Sequence, residues 1–125
     1  MAIPTPEELI KTYGRGNPET LAHALGFQVQ RQEAGPMLPG VTVLSEFKPG
    51  GIIILYRQAV RQTATQREEA PEHLEQWLIA HEMYHGLSVE QAISSWRARE
   101  TDADLWADEL CVLALPSSRG IRKVR

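Results

Sequence analysis

The sequence predicts a single α+β domain in which a small antiparallel sheet packs on two helices. The chain has 125 residues, of which 42% are apolar and 23% are charged, a composition typical of one folded domain with its own core. Short strands are predicted in the first half and two long helices in the second. We expect residues 1–116 to form this domain and residues 117–125, which carry four of the 13 basic residues, to form a mobile tail.

Composition and charge argue against several classes of protein. The net charge of −3 argues against a free-standing nucleic-acid binder, which usually carries a basic excess. The single cysteine excludes an intramolecular disulfide framework and a multi-cysteine metal site. No apolar run reaches the length of a membrane span, and the first residues lack the pattern of a secretory signal. We expect a cytoplasmic protein that binds neither membranes nor nucleic acid directly.

Helix-start signals and hydrophobic periodicity predict the order of the elements. They are helices beginning at Pro6 and Pro18, a strand at 27–30, a hairpin of strands 41–44 and 51–56, and helices at 71–87 and 97–114. The polar segment 57–70 predicts a surface loop or a frayed helix. The strand 51–56 is continuously apolar, which suits a strand covered on both faces. If one of its edges were open, it could instead pair with an extended substrate.

The segment 81–85 reads His-Glu-Met-Tyr-His and carries the clearest chemical signal. Histidines four residues apart lie about 40° apart around a helix, so both rings can reach one ion. Glu82 is then placed to act as a base on a water molecule bound to that ion. Both histidines continue the apolar stripe of the helix, where imidazoles need polar partners. The alternative is two core histidines bonded to backbone carbonyls, but the glutamate between them favours a metal site.

The next helix offers a third ligand. Glu100 heads an apolar stripe, where a carboxylate is costly unless it is neutralised, and Asp104 is a like charge one turn away. A metal ion would resolve both problems if Glu100 bound it and Asp104 accepted the free N–H of a ligating histidine. Two histidines and one glutamate leave a fourth position for water, as in catalytic zinc sites. The alternative is a solvated helix N-terminus, where acids suit the helix dipole.

Two segments resemble motifs of the ImmA/IrrE family of metallopeptidases. Residues 77–85 are similar to the F-x-x-A-H-E-x-x-H of that family, and residues 100–110 are similar to its E-x-x-A-N-x-F-A-x-x-L. The Glu-x-x-Ala-Asp form at residues 100–104 is also the third-ligand motif of gluzincins. Residues 21–29 look like the lead-in helix and first strand of the family. The resemblance covers most of residues 18–116 and implies a zincin-like fold, with a small antiparallel sheet, an active-site helix and a glutamate helix.

The resemblance also implies an activity. By position, His81, His85 and Glu100 would bind Zn²⁺, and Glu82 would be the catalytic base of a zinc endopeptidase. The substrate would be a helix-turn-helix transcriptional repressor, in a regulation of the antirepressor type. Two alternatives stay open: a non-cleaving, metal-containing module that sequesters a partner protein, and a hydrolase of a small amide or peptide. The donor that would stabilise an oxyanion is left open among Tyr56, Tyr84, His73, Arg97 and Arg99.

Overall fold

The computed structural model describes residues 3–88 and 96–115, and only the backbone of residues 96–99. Its elements are α1 (Pro6–Tyr13), α2 (Pro18–Ala24), β1 (Gln28–Gln32), β2 (Ser45–Lys48), β3 (Ile52–Tyr56), α3 (Arg57–Arg67), α4 (Pro71–Leu87) and α5 (Trp96–Ala114). The predicted α+β class is confirmed. No helix within the described ranges is both long and apolar enough to cross a membrane. The predicted basic tail lies outside the described residues.

Side-chain caps begin the first two helices where the sequence predicts them. Thr5 accepts a hydrogen bond from the backbone N–H of Glu8, and the backbone N–H of Thr5 donates to the Glu8 carboxylate. This reciprocal pair satisfies two of the donors that a helix N-terminus leaves free. The side chain of Asn17 likewise accepts from the backbone N–H of Thr20. Each helix begins with a proline. The first helical residue has no partner within the helix for its N–H, so the N–H that proline lacks is not missed there.

The sheet is mixed, so the predicted antiparallel arrangement is wrong for one of its two strand pairs. The strand order is β1–β3–β2, in which β3 pairs in parallel with β1 and antiparallel with β2. The connection over residues 33–44 leads from β1, across the position that β3 occupies, to the far edge of the sheet, where β2 lies. The hairpin then returns β3 between the two outer strands. Because β3 has a neighbour on each side, it cannot accept a substrate strand.

The first strand of the hairpin lies at Ser45–Lys48, four residues later than the predicted strand at 41–44. The turn uses Gly50 and Gly51, whose φ angles of +91° and +78° favour glycine. The two strands pair directly on either side of this turn, which fixes the register of the hairpin. Residues 41–44, all of them described, form only one isolated bridge. The residues of β2, Ser-Glu-Phe-Lys, are partly exposed. Most of them are polar, so a search for apolar runs does not detect this strand.

The polar segment after β3 forms the regular helix α3 rather than a loop. Val60 and Ala64, one turn apart, are fully buried and give this helix a narrow apolar face. The helix ends at Glu68, which adopts a left-handed conformation with a φ of 58°. An apolar face of two residues is too short a pattern to predict a helix with certainty from the sequence, which left the loop alternative open.

Helices α4 and α5 form at the predicted positions, and α4 is central to the core. It packs on α5, on α2, on α3 and on strands β2 and β3. The large side chains that are fully buried include Leu21, Ile53, Leu55, Leu74, Ile79, Met83 and Leu110. Because α4 is covered on several sides, its buried face is held rigidly, and side chains on that face are held with it.

An ion-pair network attaches the outer strand β1 to the helices. Arg31 on β1 donates to both carboxylate oxygens of Glu19 on α2 and to Glu75 on α4. All three side chains are less than a third exposed, so water screens these charges less than it screens a surface pair. The hydrogen bonds from Arg31 lower the pKa of Glu19. The network holds α2, β1 and the first half of α4 in one arrangement.

Gly86 lets the sheet approach α4 closely, directly after His85. A Cβ atom at this position would lie 2.5 Å from Cε1 of Phe27 and 2.7 Å from Cε1 of Phe47. The two rings pack edge to face with their centroids 6.0 Å apart. Glycine is therefore required here by the space that two aromatic rings occupy.

We expect Gly86→Ala to destabilise the fold. Alanine gains about 1 kcal/mol of helix propensity, whereas inserting a methyl group into a packed core costs about 1–3 kcal/mol. With two rings in the way, the upper end of that range applies, and the midpoint of urea unfolding should fall. A Gly86→Ala/Phe27→Ala double variant should lose less stability than the sum of its single changes. An unchanged or higher midpoint for Gly86→Ala would contradict this account.

Candidate metal centre

Two histidines of α4 turn their rings toward one another across one helical turn. The Nε2 atoms of His81 and His85 are 3.2 Å apart, and the ring centroids are 4.8 Å apart. His81 is only 8% exposed, and His85 is partly buried. Two ring nitrogens that can each present a lone pair therefore face the same point.

Glu100 on α5 brings a carboxylate to the same point. Its Oε1 is 3.2 Å from Nε2 of His81, and its Oε2 is 2.6 Å from Nε2 of His85. Ligand atoms at about 2.0–2.2 Å from a tetrahedral zinc ion lie about 3.3–3.6 Å from one another. The two separations of 3.2 Å found here are close to that range, and the contact of 2.6 Å between His85 and Glu100 is shorter. His81, His85 and Glu100, called the candidate triad below, offer ligand atoms within 4.8 Å of one another and could hold a metal ion.

Asp104 lies behind His81, one turn of α5 after Glu100. Its Oδ1 is 3.0 Å from Nδ1 of His81. The ring N–H is not aligned for a hydrogen bond, so we treat the pair as a short electrostatic contact. A carboxylate at this position favours a proton on Nδ1, which leaves Nε2 as the atom that can bind a metal ion.

Trp77 restrains the first histidine from its face. Its ring stacks on that of His81, with centroids 5.4 Å apart and an angle of 29° between the planes. The indole Nε1 of Trp77 donates to Oδ1 of Asp108 at 2.7 Å, which joins α4 to α5. The indole N–H of Trp77 thus connects the two helices of the site.

Glu82 is buried beside the candidate triad, with only 7% of its surface exposed. Its Oε2 accepts a hydrogen bond of 2.7 Å from Oγ of Ser45. Burial raises the pKa of the Glu82 carboxyl; the hydrogen bond from Ser45 and the charges of His81 and His85 oppose this rise, and the charge of Glu100 adds to it. A carboxyl whose pKa is raised toward neutrality is suited to taking up and releasing a proton.

Sequence reasoning does not find Ser45, because it places the first hairpin strand four residues too early. Ser45 also lies outside both the histidine motif and the glutamate motif. The one signal that could have found it is the alternation along β2. Ser45 and Phe47 lie on the same face of the strand, and the contacts of Phe47 with the space beside Gly86 show that this face meets α4.

Two of the proposed oxyanion donors are held by other contacts. Tyr56 is buried, its hydroxyl donates to Glu46 at 2.9 Å, and burial raises its pKa to about 12. The ring of Tyr84 packs against that of Trp106, with centroids 5.9 Å apart. The remaining candidates are His73, at the start of α4, and Arg97 and Arg99, whose side chains lie outside the described residues.

The candidate triad opens into a cleft of about 760 Å³ between residues 42–48 on one side and α4 with α5 on the other. The strand on this wall is β2, whose outer edge has no partner strand among the described residues. A second groove, of about 520 Å³, shares Thr42 and Val43 with the cleft and continues toward Ala34. The edge that could receive an extended backbone therefore belongs to β2. The sequence offered this role to the strand at 51–56 if one of its edges were open, and that strand, β3, is central.

No family model, curated protein or solved structure matches this chain. The resemblance to the ImmA/IrrE family therefore stays a prediction carried by residues 77–85 and 100–110. The structure adds an independent fact about these two segments. They lie on different helices, and their histidine and carboxylate side chains meet at one point.

Asp104→Asn should weaken metal binding while the fold is retained. Asparagine keeps the shape of the side chain but removes the charge that favours a proton on Nδ1 of His81. Groups in this position typically contribute a factor of about 10–100 to metal affinity. Competition with a chromophoric zinc chelator measures the change. Asp102→Asn is the matched control, because Asp102 is exposed on the same turn; equal losses in both variants would contradict the assignment.

Glu82→Gln should stabilise the metal-free protein at neutral pH. A carboxyl whose pKa is raised on folding binds more protons in the folded state, so stability falls as pH rises from its ordinary pKa of 4.5 through the raised value. Glutamine removes this penalty. Urea unfolding in the presence of a chelator should give similar midpoints near about pH 4 and a higher midpoint for the variant at about pH 7.5. Exposed Glu72 on the same helix provides the control, Glu72→Gln. Equal midpoints for wild type and Glu82→Gln at the higher pH would refute the prediction.

Proposed function

We propose that this protein is a zinc-dependent hydrolase that cleaves peptide bonds in a polypeptide substrate. The observation that carries the proposal is the convergence of the candidate triad and the buried Glu82 in one open cleft. Three protein ligands leave a position for water or substrate, which is typical of catalytic rather than structural zinc. Two histidines and a carboxylate also suit ferrous iron. A base next to the first histidine is a feature of hydrolytic zinc sites and favours zinc.

The chain itself supplies the proton transfers. A bound zinc ion would supply Lewis acidity, which lowers the pKa of water and polarises the substrate carbonyl. Oε2 of Glu82 accepts the hydrogen bond of Ser45, so we assign the uptake of the proton from the attacking water to Oε1. Glu82 then returns this proton to the amine nitrogen that leaves. Water is thereby split across the amide, and Glu82 ends as it began. Burial favours the protonated form of Glu82 that the second transfer needs.

The shape of the cleft supports a polypeptide rather than a small amide as the substrate. The outer edge of β2 runs along the cleft, where an extended backbone could add as a further strand. At about 3.3 Å per residue, β2 alone offers about 13 Å of such an edge. The adjoining groove lengthens the surface further and has no charged residue in its lining.

A helix-turn-helix repressor is the substrate that the family resemblance supports. Its support is the similarity of residues 77–85 and 100–110 to the ImmA/IrrE motifs. The net charge of −3 favours an effect on DNA that passes through a protein partner over direct binding.

Glu82→Gln separates hydrolysis from binding without cleavage. Glutamine keeps the size of the side chain and can accept the hydrogen bond of Ser45, but it cannot take a proton. The variant should keep one zinc ion per chain and lose about 10²–10⁴-fold in hydrolysis rate. The probe is a library of peptides from a digested proteome, and mass spectrometry counts the new termini that zinc-loaded wild type, Glu82→Gln and Glu72→Gln produce.

Three results of this experiment have different meanings. Cleavage by wild type and Glu72→Gln but not by Glu82→Gln supports the proposal. Equal cleavage by wild type and Glu82→Gln would contradict the role of Glu82 as the base. Stoichiometric zinc with no cleavage by wild type would contradict the peptidase and favour the module that sequesters a partner.

A further inference from the structure

We propose that Ser45 is a positioning residue, which holds the carboxylate of Glu82 in the orientation that proton transfer requires. The inference rests on the proposed function and concerns a residue that lies in neither sequence motif. The distance of 2.7 Å from Oγ of Ser45 to Oε2 of Glu82 is typical of a hydroxyl that donates to a carboxylate. Among the described residues, this is the one side-chain hydrogen bond that Glu82 makes.

The backbone that carries Ser45 is fixed against the central strand β3. Ser45 pairs with Leu55 in the antiparallel ladder, and the carbonyl of Leu44 accepts a hydrogen bond of 3.0 Å from the backbone N–H of Tyr56. Leu55 and Tyr56 are both buried in the central strand. The hydroxyl therefore projects from a rigid strand, and supporting groups on strands hold a side chain more accurately than those on loops.

The carboxylate of Glu82 needs such a restraint because its neighbours act on it in opposite directions. Positive charge at the candidate triad, carried by the histidines or by a bound cation, attracts it, while the charge of Glu100 repels it. A glutamate side chain has three rotatable bonds, so a carboxylate without an anchor could turn toward the histidines of the candidate triad. The bond to Ser45 anchors one oxygen of the carboxylate on β2 and leaves the other oxygen without a side-chain hydrogen bond among the described residues.

Ser45 also belongs to the strand that would receive the substrate. The outer edge of β2 has no partner strand in the part of the chain that the structure describes. A peptide backbone bound there would hydrogen-bond to the main chain of the same four-residue strand. Loss of the Ser45 hydroxyl removes none of these main-chain bonds, so it should affect the reacting complex more than binding.

A kinetic comparison of two substitutions tests this role. Ser45→Ala removes the donor, whereas Ser45→Thr keeps a hydroxyl and suits a strand. On a quenched fluorescent peptide chosen from those that zinc-loaded wild type cleaves, Ser45→Ala should lower kcat by about 10–100-fold and change KM by less than about twofold. Ser45→Thr should recover most of the lost kcat. Thr5→Ala removes a helix cap far from the cleft and should lower stability by about 1 kcal/mol with kcat unchanged.

A measurement on the metal-free protein tests the hydrogen bond without any activity. The side-chain carboxyl ¹³C signal of Glu82, assigned by its loss in Glu82→Gln, is compared in H₂O and D₂O at one pH. A hydroxyl that donates to the carboxylate gives this carbon an isotope shift. We expect the shift in wild type and Ser45→Thr and its loss in Ser45→Ala.

The outcomes separate this inference from the proposed function. If hydrolysis depends on Glu82 but Ser45→Ala keeps the kcat of wild type, the inference is overturned and the peptidase stands. An isotope shift that is unchanged in Ser45→Ala, or a loss of activity that only follows a loss of zinc, also overturns it. If wild type shows no zinc-dependent hydrolysis, the proposed function fails and the role of Ser45 in catalysis fails with it.

Discussion

The packing of α4 against α5 is the interaction on which the rest of the structure depends. Small residues make this packing close, since Ala80, Ala103 and Ala107 are all fully buried. Helix axes that approach to about 8–10 Å bring side chains from the two surfaces into direct contact. The hydrogen bond from Trp77 to Asp108 also joins the two helices directly. In this packing the imidazoles of α4 reach the carboxylates of α5, an arrangement that neither helix could make alone.

The second constraint is charge. Glu82, Glu100 and Asp104 bring three carboxyl groups to one cleft, and the two histidines can balance them only by taking up protons. Repulsion by Glu100 adds to the rise in the pKa of Glu82, which shows that these groups act on one another. A divalent cation at the candidate triad offsets this repulsion without protonating the histidines, and it leaves Glu82 outside the ligand set as the group able to exchange a proton. Metal binding at the candidate triad and proton exchange by Glu82 would thus both follow from the same electrostatic arrangement.

The parts of the fold that sequence predicts are those that a local pattern determines. The caps at Thr5 and Asn17 and the long periodic stripes of α4 and α5 each depend on a few neighbouring residues, and the convergence of the candidate triad follows from those stripes. A local pattern does not determine the mixed sheet, because the parallel pairing of β1 with β3 depends on where a long connection crosses the sheet. β2 was misplaced because its polar residues sit on a half-exposed edge, and Ser45 was missed for the same reason. The short apolar face of α3 left loop and helix equally open.

Zinc K-edge X-ray absorption of the 125-residue chain, loaded with one equivalent of zinc, is the most direct measurement of this metal centre. We expect one tightly bound zinc ion with nitrogen and oxygen ligands at about 2.0–2.2 Å, the scattering pattern of two imidazoles, and no sulfur at about 2.3 Å. His85→Ala should reduce the imidazole contribution to that of one ring, whereas His73→Ala should leave the spectrum unchanged. A wild-type protein that binds no stoichiometric zinc, or whose zinc shows no imidazole scattering, would contradict the account.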